Sequence, residues 1–340
     1  MKSSLLNLLV CPSCTSSFEV RADTTDGSEI MEGVLICRWC GECYPISRGI
    51  PRFLPKDLAE DKKATANAFG YEWTNFSQMT EEDRREFLGW ISPLAPADFK
   101  GRVVLDCGCG KGRHIFLAAQ FGAQEVVGVD LSDAVEAAYA NTHKLPNVHV
   151  VQADIYNLPF AKPFNLAYSI GVLHHLPVPK QGFLAMVGHL APGGRVVSWV
   201  YGKEGNIWIE KLVDPVRKNV TSRLPQAATR FLAFFPAVVL YAALKLLYRP
   251  ARHRPLLKKM LPYSDYICSI ADYSFTENFW NVFDQLVAPT AFYHSRDEIV
   301  DWYQTADIEQ VQISQYNSNS WRGTGLIPLG LDEGLTTGAD

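Results

Sequence analysis

An acid followed by alternating glycines is the first stretch of this chain whose spacing implies chemistry. Asp106-Cys107-Gly108-Cys109-Gly110-Lys111-Gly112 closes a short apolar run, Val103 to Leu105. Glycines at every second position let the backbone turn sharply and approach a ligand where a Cβ would intrude. The helix expected next, from about Arg113 to Phe121, would offer its first N–H groups to that ligand. A second acid, Asp130, stands about 20 residues beyond the glycines, where two carboxylate oxygens can accept two sugar hydroxyls. A different chemistry lies nearer the start. Cys11-Pro-Ser-Cys14 and Cys37-Arg-Trp-Cys40 are two Cys-x-x-Cys knuckles, and together they supply four thiolates for a tetrahedral ion. A closed four-sulfur site of this kind holds structural zinc. Cys43 is a fifth thiol beside the second knuckle.

The spacing and the acid narrow the ligand. Dinucleotide sites use Gly-x-Gly-x-x-Gly, whereas this loop is Gly-x-Gly-x-Gly with Asp106 just ahead of it. A carboxylate beside a pyrophosphate would be repelled. Val104 to Gly112 resembles the first motif of class I S-adenosylmethionine-dependent methyltransferases. That cofactor has no phosphate and carries a sulfonium and an ammonium, so the resemblance implies that Asp106, Gly108, Gly110 and Gly112 cradle it. It further implies a ribose site at Asp130 and Leu131. Asp154 would accept from the adenine amino group, and Ile155 would cover the ring. Ser169-Ile170-Gly171-Val172-Leu173-His174-His175 resembles the family's fourth motif, with Ser169 and Gly171 on the methionine side of the cofactor. Asn165 stands where the family commonly has Asp.

Catalytic candidates are fewer. His174 or His175 is either a base for an acceptor hydroxyl or amine, or a histidine tied to backbone. Tyr293 and His294 belong to an aromatic and polar cluster, with Phe283-Asp284, that similar zinc-fused methyltransferases share. They are candidates for the substrate side or for structure. Tyr71 and Trp73, in Phe69-Gly70-Tyr71-Glu72-Trp73, either close over the cofactor or staple a helix to the domain.

The elements that must position these groups alternate from Val103 to Tyr201. Strands are expected at Val103–Leu105, Glu125–Asp130, Asn147–Gln152, Phe164–Ile170 and Arg195–Tyr201, with helices between. This is the doubly wound α/β pattern, and its ligands sit at the carboxyl ends of the strands. Ser295 and Glu298 form a capping box for a helix ending near Thr305, and 308–314 and 321–329 would complete a seven-stranded Rossmann-like sheet. Leu8-Leu9-Val10-Cys11-Pro12-x-Cys14 and Tyr44-Pro45-Ile46-x-x-Gly49-Ile50-Pro51 resemble the small zinc-binding family that includes the activator subunit of tRNA and protein methyltransferases. The organisation expected is a zinc ribbon over 1–55, a linker and lid helices over 56–98, the methyltransferase domain over 99–329, and a loose tail over 330–340.

After Tyr201 the alternation stops, and a helical insert is expected over about 203–270. Its apolar run, Phe231 to Leu244, is short of the ~20 residues that span a bilayer. Basic residues surround it. It reads as a cap that shapes the pocket, and residues 226–259 could also lie on a membrane surface. The formal charge of −4 gives no general pull toward nucleic acid. Eight cysteines concentrated in the knuckles and the glycine loop point to a reducing, cytoplasmic setting. Leu5 to Val10 is too short for a signal sequence. The expected activity is methyl transfer from S-adenosylmethionine to a small or lipid-like acceptor. RNA is the second choice, and a non-catalytic binding protein the third.

Overall fold

Apolar runs bounded by turn residues form eleven strands among the described residues, and these make one continuous sheet. The computed structural model describes residues 1–329 apart from 56, 162, 163 and 208; the tail expected over 330–340 lies outside them. The strands are β1 (Phe18–Asp26), β2 (Glu29–Cys37), β3 (Cys43–Ser47), β4 (Ile50–Phe53), β5 (Val103–Cys107), β6 (Glu125–Asp130), β7 (Val148–Ala153), β8 (Phe164–Ile170), β9 (Leu190–Tyr201), β10 (Glu309–Tyr316) and β11 (Ser320–Leu326). Their order is β1-β2-β3-β4-β7-β6-β5-β8-β9-β11-β10. From β4 to β9 neighbours run parallel, and β11 and β10 close the far edge as an antiparallel pair.

Two-sided burial explains the unbroken apolar runs. Leu105 and Val127 belong to one core layer, and Val104 and Val126 to the other; none is exposed. The helices that cover these faces begin with α1 (Glu60–Asn75) and α2 (Glu81–Ile91). Then come α3 (Arg113–Gln120), α4 (Ala134–Thr142) and α5 (Pro179–Val187). Much of the linker expected from residue 56 is α1, which continues through the aromatic motif at 69–73. β9 begins ahead of the expected Arg195, and Gly193 within it takes a positive φ of 72°.

The insert is helical: α6 (Asp214–Asn219), a long α7 (Gln226–Ala251), α8 (Pro255–Met260) and α9 (Ser264–Ser269). Next, α10 (Phe275–Val287) packs on α7, and α11 (Arg296–Thr305) begins with the Ser295/Glu298 capping box.

The zinc ribbon is built into the sheet. β4 pairs in parallel with β7, Arg52 opposite Gln152 and Phe53 opposite Ala153. An open strand edge on β7 is thereby covered. Phe53 packs against Tyr44 and Phe18, with ring centroids 4.7 and 5.8 Å away. Polar contacts fix the junction. The Arg52 guanidinium donates to Gln152 and Glu136 at 2.5 Å each, and Lys2 donates to the carbonyls of Leu145 and Val148 at 2.8 Å.

Candidate active site and thiolate cluster

The carboxyl ends of β5 to β9 open into a cavity of about 690 Å³, roofed by α1, α10 and the insert. It sits where the chain order reverses on either side of β5, the usual ligand position in such sheets. The volume falls within the range of small-molecule sites, ~300–1,000 Å³.

One half of the cavity is built on the glycine turn. Gly108 has a φ of +90°, and a Cβ there would meet the Val172 side chain at 2.2 Å. A Cβ on Gly110 would stand 3.2 Å from the Trp73 indole nitrogen. Trp73 therefore closes over the loop. Asp130, at the end of β6, accepts from the Gly110 N–H at 3.0 Å and from the Ser132 N–H and hydroxyl at 2.9 and 2.7 Å. Burial pushes its carboxyl up, and these donors hold it down. Asp154, at the end of β7, accepts from the Lys62 ammonium at 2.5 Å and from the Tyr156 N–H at 3.1 Å. Leu131, Ile155, Gly171, His175 and Tyr293 also line the wall.

Six expected site residues stand behind the wall instead. Asp106 has no exposure and neither oxygen has a partner; burial, then neighbouring Asp130, raises its pKa well above the carboxylate range. It stands under the loop and does not line the cavity. Gly112 is a packing glycine, since a Cβ would meet Ala138 of α4 at 2.9 Å. Ser169 is fully buried and donates to the Cys107 carbonyl. Tyr71 faces Phe283 of α10, 6.0 Å between ring centroids. His174 is fully buried, stacked 3.9 Å from Tyr201, with both nitrogens unpartnered. His294 lies against Trp302 at 4.7 Å.

The other half of the cavity is aromatic. Trp90, Trp199, Tyr201, Tyr266 and Trp280 line it. Tyr201 donates to Asp284 at 3.4 Å, and Gln285 donates to the Tyr201 hydroxyl at 3.0 Å. Burial lifts the Asp284 carboxyl to about 6, against the opposing pull of Arg217. Glu72 has one buried, unpartnered oxygen and is raised well above its ordinary range by burial, then by Asp284. Arg113 reaches in beside Trp90, paired to Asp83 at 3.0 Å. Of this half, sequence reasoning singled out only Asp284, as part of the cluster with Tyr293 and His294. Trp199 and Tyr201 end a predicted strand, and the rule that ligands meet strand ends could have found them. Tyr266 and Trp280 come from irregularly spaced helices and carry no such signal.

The first half fits S-adenosylmethionine. Acids at the ends of adjacent strands suit ribose hydroxyls and an adenine amino group and would repel a pyrophosphate. The loop admits no side chain at 108 or 110. Ile155 supplies an apolar face for a ring.

In the ribbon, the Sγ atoms of Cys11, Cys14, Cys37 and Cys40 all lie within 4.8 Å of one another. A tetrahedron with Zn–S arms of ~2.3 Å has edges of about 3.8 Å, so four thiolates at this spacing fit one zinc ion. Cys43 donates to the Gly41 carbonyl and lies outside the cluster. The purified chain is expected to hold zinc, and Cys37→Ser to lose it. For a loss of ~3 kcal/mol the melting temperature would fall by roughly 4 °C. Elemental analysis showing no zinc in the intact chain would remove the assignment.

His175 gives a pH signature. Its Nδ1–H donates to the Thr290 carbonyl at 2.6 Å, and burial lowers its pKa to about 4 despite that bond. The folded chain then binds fewer protons than the unfolded chain between about 4 and 6.5. Its contribution to stability is complete above about 6.5 and is lost as pH falls toward about 4. Asp284 acts in the opposite sense between 3.8 and about 6. The wild type minus His175→Asn difference in denaturant midpoint isolates the histidine. That difference should shrink on acidification; a pH-independent difference would contradict it.

Comparison with known proteins agrees with this geometry. Residues 104–194 match the methyltransferase domain family, and residues 2–49 match the Trm112p-like protein family. The tRNA U34 carboxymethyltransferase of Pseudoalteromonas translucida is 41 % identical over 122 residues, 35 % of this chain and 36 % of that protein. The enzyme of the same name from Vibrio cholerae is 33 % identical over 123 residues, 35 % and 36 % of the two chains. The chain thus spans about a third of the length of these relatives. A solved S-adenosylmethionine-dependent methyltransferase from Mesorhizobium loti is 29 % identical over 35 % of this chain and 51 % of that one, with a TM-score of 0.29. Residues 104–194, with this strand order and glycine turn, thus match a class I S-adenosylmethionine-dependent methyltransferase domain, and residues 2–49 match a Trm112p-like zinc ribbon that is joined to its sheet.

Proposed function

We propose that the chain transfers a methyl group from S-adenosylmethionine to a nucleobase of tRNA. The observation that carries the reading is the continuity of the cavity: a cofactor half on the glycine turn opens into an aromatic half large enough for a flat ring. When bound, the cofactor supplies an electrophilic methyl on a sulfonium. The chain's own residues supply position and exclude water. Asp130 and Leu131 would hold the ribose edge, and Asp154 and Ile155 the base. Gly108, Gly110 and Gly171 would let the backbone come close. Lys62 now pairs with Asp154, so it must release that carboxylate when an adenine amino group binds there.

Trp199, Tyr201 and Trp280 would stack an extruded base, as enzymes acting on bases require. His175 titrates too low for an efficient base at neutral pH, whereas Asp284 at about 6 is better matched. The names of the similar enzymes and the Trm112p-like module favour tRNA. They reverse the order expected from sequence, which put a small or lipid-like acceptor first. That second reading keeps one supporting observation, the apolar outer surface of the insert.

Incubation of the chain with methyl-labelled cofactor and a cell extract, then separation into RNA, lipid, protein and small-molecule pools, tests the reading. Label in a tRNA nucleoside is expected; label confined to the lipid pool would replace it with the second reading. Asp130→Ala should weaken cofactor binding by about 1–3 kcal/mol, from lost hydrogen bonds. Unchanged affinity by calorimetry would remove Asp130 from the ribose site.

A further inference from the structure

The insert is amphipathic in an inverted sense. Over the first half of α7 the residues turned toward the domain are small: Thr229, Ala233 and Ala237 are fully buried, and Asn278 of α10 donates to the Ala237 carbonyl; farther along, Leu244 and Tyr248 are buried. The large apolar residues point the other way. Phe231, Phe235 and Val239 follow one another at helical spacing and are 67 %, 56 % and 70 % exposed; Leu246, farther along, is 73 % exposed. A helix that served only to cap the pocket would bury these rings and leave the alanines outside. Most of the large apolar side chains that the described residues leave exposed lie between Ile207 and Met260. A patch of this extent on a protein surface marks a binding face.

Charge says what would cover it. From Pro215 to Ser264 the sequence contains no Asp or Glu and ten Lys or Arg, in a chain whose overall charge is −4. Arg223, Arg254 and Lys259 are exposed, and Arg249, also exposed, pairs with Asp272 at 3.3 Å. Aromatic and aliphatic side chains rimmed by cations match an anionic lipid surface: the rings enter the acyl boundary and the cations meet the headgroups.

The helix has the length and composition to cross a bilayer, yet its geometry opposes crossing. Its inner face is committed to α10, and the Lys245 ammonium donates to the carbonyls of Ala271 and Tyr273 at 3.1 and 2.8 Å. A spanning helix needs lipid or protein of its own around every side at membrane depth, and this one is fastened lengthwise to a water-exposed domain.

We propose that the outer face of the insert, centred on Phe231, Phe235 and Val239, docks the chain on the surface of an anionic membrane. The proposal rests on neither the cofactor nor the acceptor. α10, which α7 covers, contributes Trp280 and Asp284 to the cavity wall, so docking would hold the cavity close to the bilayer.

Flotation of the full-length chain with vesicles tests it, without cofactor or acceptor. Binding to phosphatidylcholine–phosphatidylglycerol vesicles is expected, with about tenfold or greater loss on pure phosphatidylcholine or at high salt. The triple variant Phe231→Ser, Phe235→Ser, Val239→Ser should lose about tenfold or more of the binding while its melting curve is unchanged, because those side chains are exposed. Arg223→Ser, Arg254→Ser and Lys259→Ser together should lose a similar factor on anionic vesicles only. Failure of the wild type to float with either vesicle would overturn the proposal, whatever the variants do. So would a concentration-dependent dimer abolished by the apolar substitutions, which would make the face a contact between copies. Binding of RNA to the basic residues, with no vesicle binding, would overturn it as well.

Discussion

Burial of β5 on both faces is the constraint from which the rest of the site follows. A strand covered by helices above and below can offer a ligand only its end. The chain must then leave the strand through a turn that has no room for side chains. Val172 and Trp73 press on that turn, and this closeness is why 108 and 110 are glycine. The neighbouring strands end at the same level and bring Asp130 and Asp154 to one edge. The site's geometry is therefore a property of the sheet, and the loops contribute only the last few ångströms.

The same burial governs the electrostatics. Asp106 and Glu72 are pushed toward their neutral forms, and His175 is kept uncharged. Asp130 is raised too, by burial, although three donors that converge on its oxygens oppose the shift. The wall also keeps paired charges, Lys62 with Asp154 and Arg113 with Asp83, beside its aromatic rings. It is also a place where a moderately raised acid such as Asp284 could exchange a proton near neutral pH.

Much of this was legible in the sequence, because the parallel sheet announces itself. β6 and β8 lie at the predicted residues, and the Ser295/Glu298 box caps its helix as read. Residues fixed to strand ends by a motif, such as Gly108, Asp130 and Ile155, fall on the cavity wall. Asp106, Ser169 and His174 belong to the same motifs but point under the loop, a distinction that spacing along a strand cannot make once both faces are buried. The acceptor half was illegible for another reason. Tyr266 of the insert and Trp280 of α10 carry no repeating pattern, and only the folded chain brings them, with Asp284, to Tyr201 at the end of β9. The ribbon was legible from its cysteines, but its junction was not: β4 is four residues long, and nothing in Ile50–Phe53 names β7 as its partner.

That junction sets the thermodynamics of the pairing. Two separate polypeptides meeting along one strand edge obey mass action, so dilution or a competing partner could part them. Here the same edge is closed within a single polypeptide, and the association has become unimolecular. Its occupancy no longer varies with how much of either half the cell makes, and a ribbon so held cannot be lent to another enzyme. What a dissociable subunit could regulate by its abundance, this chain has made constant.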